Sequence, residues 1–243
     1  MGFKRKLEAK DVSLTIVFAA LYAVLSFLPL FQIAGFFKFI TVATIIAPII
    51  GILLGAYLGL VSTFIGGTIS LFVNQSFSLP SLAAGAIAAL CSGLLHKGKK
   101  GFCVVIYLSL LIIFGFNPFI GAFWLYPLVM WFLIVGFIIL LSPLQSYASK
   151  SFSSNSNSRL FFAFFATSLT STLASQIAGT LGFEILTPDP NFWKETIWPI
   201  TTVLYPVERT VIATAAAVIG VLLYKALKLA NIMPLDQTQN KQS

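Results

Sequence analysis

Charge is the scarcest commodity in this chain. Asp, Glu, Lys and Arg together make up 9% of its 243 residues, where a soluble domain carries about 25%. The chain has one histidine, seven acids and two cysteines, and each shortage excludes something. Cys91 and Cys103 lack metal-ligand spacing, and two cysteines build no disulfide framework. No pair of aspartate-rich motifs suggests a prenyl-transferring metal site. No Gly-x-Ser-x-Gly accompanies a membrane histidine, as an intramembrane protease would need. Gly98-Lys-Lys-Gly101 is not a phosphate-binding loop, so ATP hydrolysis by that route is excluded. His96 sits among lysines and reads as a solvated loop residue. An enzyme is therefore not expected, nor any cofactor or metal.

What is present is hydrophobic sequence, 58% of the chain, with a mean hydropathy of +0.96. This is the composition of an all-α polytopic membrane protein. Lys4-Arg5-Lys6 before an apolar run from Val12 resembles a signal peptide, but the run passes Leu30 without a small-residue cleavage site and reads as an uncleaved first helix, about Val12 to Ala34. Further segments are expected at about 81–95, 102–116, 119–144, 160–183 and from the last apolar stretch to Lys228. Polar or irregular loops fall at 74–78, 149–159 and 184–198. The domain plan is a basic N-terminus (1–11), a helical membrane domain (12–229) and a polar tail (230–243).

Phe39 to Val73 carries no charge. As one helix it would be roughly 50 Å long, against a hydrocarbon core of about 30 Å. Two short helices joined by a tight turn near Gly55-Ala-Tyr-Leu-Gly59 fit better. Glycines four apart at Gly51, Gly55 and Gly59 offer a flat face for a neighbouring backbone, although glycine is also common in membrane helices generally. Gly85, Ala89 and Gly93 form a similar face on the next segment.

The count is then about eight membrane segments. With the N-terminus inside, the cytoplasmic side receives Lys4, Arg5, Lys6, Lys10, Lys97, Lys99, Lys100, Lys150, Arg159, Lys225, Lys228 and Lys241, and the outer side only Lys38 and Lys194. Cytoplasmic loops collect Lys and Arg, so both termini are expected in the cytoplasm. The basic balance is a topology signal and does not suggest nucleic acid.

The unusual polar residues gather toward the outer side. Tyr205-Pro-Val-Glu208-Arg209 places an acid and a base within the last apolar segment, where ionisable groups ordinarily face a cavity or a partner. Being adjacent, they project about 100° apart on a helix and cannot simply pair. Two readings stand: a binding or gating pair, or a helix that opens at Pro206 with Glu208 as a favourable first-turn acid. Asn74, Gln75, Asn117, Trp124, Tyr126, Gln176, Trp193, Trp198 and Tyr205 fall at the same level. Such aromatics are either interface anchors or walls of a pocket that stacks a flat ring and hydrogen-bonds its edge.

Ala19-Ala-Leu-Tyr-Ala23 in the first helix, GILLGAYLGLVSTFIGG within Pro48 to Gly67, the polar loop before Pro80 and the opening Pro206-Val-Glu-Arg209 together resemble the substrate-binding S component of an energy-coupling factor (ECF) vitamin transporter. The similarity is best over 12–95, with a weaker echo over 160–228. It implies a compact helical bundle in a prokaryotic cytoplasmic membrane, holding a vitamin-like micronutrient near the outer face. The implied partners are a transmembrane T component, reached through the small face of Ala19, Ala20 and Ala23, and two cytoplasmic ATPases. The family pattern has six helices, so an extra pair lies within 102–144. A self-contained secondary carrier or channel using Glu208 is the alternative, and a membrane enzyme or assembly factor without transport a third.

Overall fold

The computed structural model describes residues 8–122, 124, 126–230 and 232; Lys4, Arg5, Lys6, Lys241 and most of the polar tail lie outside them. Helix α1 (Ala9–Leu25) begins in a capping box, with Glu8 and Asp11 exchanging side-chain and backbone bonds. It ends nine residues before the expected Ala34. Pro29 lacks an N–H and disfavours helix at the residue before it. The chain instead forms an antiparallel hairpin, β1 (Pro29–Gln32) with β2 (Phe39–Thr41), in which Phe31 faces Ile40 and Gln32 faces Phe39.

The long apolar stretch does fold as two helices, α2 (Ala43–Leu54) and α3 (Ala56–Val73). The break is one residue, Gly55, at φ 86° and ψ 170°, a conformation open only to glycine. Every residue of α2 but Thr44 is buried, and α2 packs on α1, α3, α9 (Trp198–Leu229) and α4 (Leu79–His96). Small residues make this possible: a Cβ on Gly51 would lie 2.0 Å from the Ala89 carbonyl oxygen, and one on Gly93 would lie 2.4 Å from the Ala56 nitrogen. Close backbone approach is thus what the glycine spacing provides.

Helix α5 (Lys100–Gly115) matches its expected span, but the helix expected over 119–144 is shortened to 131–141. A second small hairpin, β3 (Phe116–Asn117) with β4 (Gly121–Ala122), and a 3-10 turn at Pro127–Met130 precede α6 (Trp131–Leu141). The extended backbone of Ser142, required before Pro143, then bends the chain by 64° into α7 (Pro143–Ser151). Accordingly the polar loop expected from Ser149 shrinks, because α7 fills its start and α8 (Asn157–Leu186) begins before Arg159.

Helix α8 is the central post, packed on α4, α9, α7, α6 and α5. Its buried face is rich in hydroxyls. Thr170, Ser171, Thr172 and Ser175 donate to carbonyls three or four residues back, so polar side chains are buried at little cost. Among the described residues, four helical segments are long and apolar enough to cross a membrane, five if the bent pair is one span. Outward faces carry exposed large apolar residues such as Ile16, Phe64, Ile112, Ile138 and Leu222, the inverse of a soluble surface. The chain is an all-α membrane bundle with two minor hairpins.

Its basic loops meet at one end. Lys225 donates to Asn157, Tyr224 to the Phe152 carbonyl at 3.3 Å, and Lys100 to the Leu141 and Ser142 carbonyls. His96, read from sequence as solvated, is half-buried here against the Phe152 ring at 4.5 Å. The Gly55 turn lies at this same end, beside Gly93.

Candidate functional site

At the opposite end the helices splay around a cavity of about 650 Å³, its open mouth included. Its walls come from the β1–β2 hairpin and five helices, with Tyr22 from α1 and Phe77 from the loop before α4. The β1–β2 hairpin contributes Ile40 and Thr41, α2 its first-turn Thr44, and α4 Ser81 and Gly85; α8 gives Gln176 and Thr180, and α9 Tyr205 and Arg209. The lining is of the kind small-molecule sites have, mostly apolar with a few convergent polar groups. Gly85 leaves room for the Tyr22 hydroxyl, which would lie 2.0 Å from a Cβ there.

Three residues expected at the site, Gln176, Tyr205 and Arg209, do come together on this wall. Helix α9 explains how. It begins at Trp198, so Pro206 lies inside it and does not open it. The reading of Glu208 as a first-turn acid is therefore overturned: Glu208 and Arg209 lie in the third turn, 2% and 5% exposed. Arg209 sits over the Tyr205 ring, its guanidinium carbon 5.9 Å from the centroid, a cation–π arrangement. Arg209 Nε, Gln176 Oε1 and Glu208 Oε2 are buried with no hydrogen-bond partner among the described residues. Glu208 does not line the cavity.

The remaining expected residues are placed elsewhere. Asn74 is structural: it donates to the Ser26 carbonyl at 2.6 Å and accepts from Ser76 N, tying the end of α3 to that of α1. Gln75 is exposed and offers its carbonyl to Lys38. Trp193 and Trp198 are buried and line a narrow void behind the cavity, shared with Gln176 and Tyr205. Trp193 donates to the Thr187 carbonyl at 2.8 Å, and Tyr126 leans on Trp198 at 6.0 Å. Trp124 is exposed and packs edge-on against Phe116. Asn117 is buried and donates to Glu184.

Glu184 is the residue that sequence reasoning missed. Its polar neighbours predict an irregular outer segment, yet α8 runs through it to Leu186 and leaves it fully buried. The signal was Pro188, which bars helix only at Thr187 and leaves Glu184 free to be helical. The Trp198 indole comes close to the same carboxylate, but its N–H and Glu184 Oε1 both lack hydrogen-bond geometry. Tyr22, Phe77, Ser81 and Thr180 were also missed, being ordinary core types in sequence.

The small face of α1 is turned inward. Ala19 and Ala23 are 2% and 7% exposed, and a Cβ on Gly66 of α3 would lie 2.4 Å from the Ala19 carbonyl oxygen. Only Ala20 of the three expected partner contacts is exposed. Among the described residues no three His, Cys, Asp or Glu side chains are grouped as a metal site. Compared with known proteins, the chain matches no family model, no curated protein and no solved structure.

Proposed function

We propose that this chain is the membrane-embedded substrate-binding subunit of an ATP-driven micronutrient importer of the ECF kind. The observation that carries the reading is the single-ended cavity. It lies at the end away from the basic loops, and buried α2 fills the space between it and those loops. A site accessible from one side and shut toward the other is what a capturing subunit needs, and in this reading separate ATPases supply the energy.

In this reading the chain makes eight crossings, a six-helix core plus the pair formed by α5 and the bent α6–α7. Both termini lie in the cytoplasm of a prokaryote, and the basic end faces a T component and two ATPases. The lipid-side face of α1 that could meet the T component carries Ile16, Ala20 and Val24, which are exposed, because Ala19 and Ala23 are already packed on α3. Affinity purification of the tagged chain from its own cells tests this: a transmembrane subunit and ATPases should co-purify, and uptake should stop when the ATPases are inactivated.

A second reading, a self-contained carrier, draws on the two buried carboxylates with unpartnered oxygens, Glu184 and Glu208. Uptake that persists without any ATPase would select it.

A further inference from the structure

Arg209 gives the cavity wall its charge. The guanidinium keeps that charge under all ordinary conditions, it is 5% exposed, and among the described residues no Asp or Glu shares the cavity lining with it. The sequence explains the imbalance: between Asp11 and Glu184 there is no acid anywhere, so α2 and α4 have none to offer. Glu208, one residue earlier, projects about 100° away around the helix and stays out of the cavity. Tyr205 beneath the guanidinium engages its π-face, which leaves the in-plane N–H donors uncommitted. The first turn of α2, the positive end of its dipole, supplies Thr44 to the same wall. On the same wall Gln176 holds a buried carbonyl oxygen with no donor among the described residues.

We infer that the cavity takes a small monocarboxylate bearing a ring or amide N–H, with its carboxylate on Arg209 and its N–H on Gln176 Oε1. This rests on the reading of the cavity as the substrate site. A guanidinium matches a carboxylate with two parallel charge-assisted bonds. Charge balance selects a carboxylate over a phosphate, because one cation and no lysine line the wall, and a dianion would bring an uncompensated charge into apolar surroundings. The apolar body of the molecule lies among Tyr22, Phe77 and Phe183, where the lining is aromatic.

The test uses the purified full-length chain in detergent and a water-soluble metabolite extract separated by anion exchange into anionic and non-anionic pools. Thermal unfolding is followed with each pool. The anionic pool should stabilise the wild-type chain, and phosphatase treatment of the pool should leave that effect unchanged. Methyl-esterification of its carboxylates should weaken it at least 30-fold in the concentration required, as loss of one partner of a buried charge pair does on the order of 30-fold or more. Arg209→Gln should abolish the shift, Arg209→Lys should retain a weaker one, and Gln176→Leu should weaken it about tenfold, the loss of one hydrogen bond. The esterification arm needs no variant, so it decides the matter even if Arg209→Gln fails to fold. Stabilisation by the non-anionic pool alone, by the esterified pool equally, or only before phosphatase treatment would overturn the monocarboxylate assignment while leaving a substrate-binding subunit intact. If neither pool acts on the wild-type chain, the substrate-site reading fails and the assignment with it.

Discussion

Asn117 Nδ2 donates to Glu184 Oε2 at 2.5 Å, both side chains buried, and so fastens the β3–β4 hairpin to the last turns of α8. Asn117 also accepts from Phe119 N at 2.9 Å through its Oδ1, which fixes the amide and aims its donors at the carboxylate. Replacing Asn117 by Leu leaves both Glu184 oxygens without a donor, and an orphaned buried polar group costs about 1–3 kcal/mol, more when charged. The Asn117→Leu chain should unfold at lower temperature in detergent. In a double-mutant cycle, adding Glu184→Leu should recover part of the loss, since removing both partners is cheaper than removing one.

The helix contacts made through glycine predict a sharp contrast. Gly51→Ala places a methyl group 2.0 Å from the Ala89 carbonyl oxygen, so α2 must move off α4. Overpacking of this kind costs about 1–3 kcal/mol. Gly101→Ala, in α5 with nothing within 4 Å of the new methyl, should be neutral or stabilising by up to about 1 kcal/mol, because Ala is the better helix former. Thermal unfolding of the two variants side by side checks both.

The two faces of α1 should separate folding from assembly. Ala19→Trp drives an indole into the contact with Gly66 and should lower yield and stability of the chain alone. Ala20→Trp points outward, and the isolated chain should unfold as the wild type does. If the exposed row of Ile16, Ala20 and Val24 is the docking face, Ala20→Trp should reduce co-purification of the transmembrane partner. Unchanged recovery of the partner would move the interface elsewhere.

The β1–β2 hairpin beside the cavity is held partly through Gly35. This residue has φ +72°, and a Cβ there would lie 2.1 Å from Ile197 Cδ1; its neighbour Phe36 packs on Phe183 at 4.8 Å. Gly35→Ala combines a clash with a left-handed backbone that costs about 1–2 kcal/mol for a residue with a Cβ. The expected result is faster hydrogen exchange across 29–41, with α2 and α4 unaffected. Ile197→Ala on the same chain should restore only the part owed to the clash.

How far these relationships were legible depends on whether their cause was local. Gly55 was visible because the apolar run was too long for one membrane helix and a glycine stood at its middle. Pro29 was equally local, but apolar composition drew the first helix past it, and the strand that replaces the helix exists only through pairing with Phe39–Thr41. The Ala19–Ala23 face is expected from sequence to meet a partner, but the helix that approaches it is α3 of the same chain, a pairing that no local pattern in α1 encodes. Gln176, Tyr205 and Arg209 were found as polar residues out of keeping with their surroundings. Glu184 was lost because it sat among other polar residues, and only the length of α8 shows it to be interior.

Helix α2 is too short to enter a membrane alone. Its 12 residues reach about 18 Å at 1.5 Å each, well short of a hydrocarbon core of about 30 Å. Emerging from the ribosome, such a segment cannot be held across the bilayer by itself. It is joined through one glycine to the 18 residues of α3, and the two must enter as a pair, the longer helix anchoring the shorter until α4 closes over it. The order of synthesis therefore matters for this chain: a stall before α4 would leave its most deeply buried helix facing lipid.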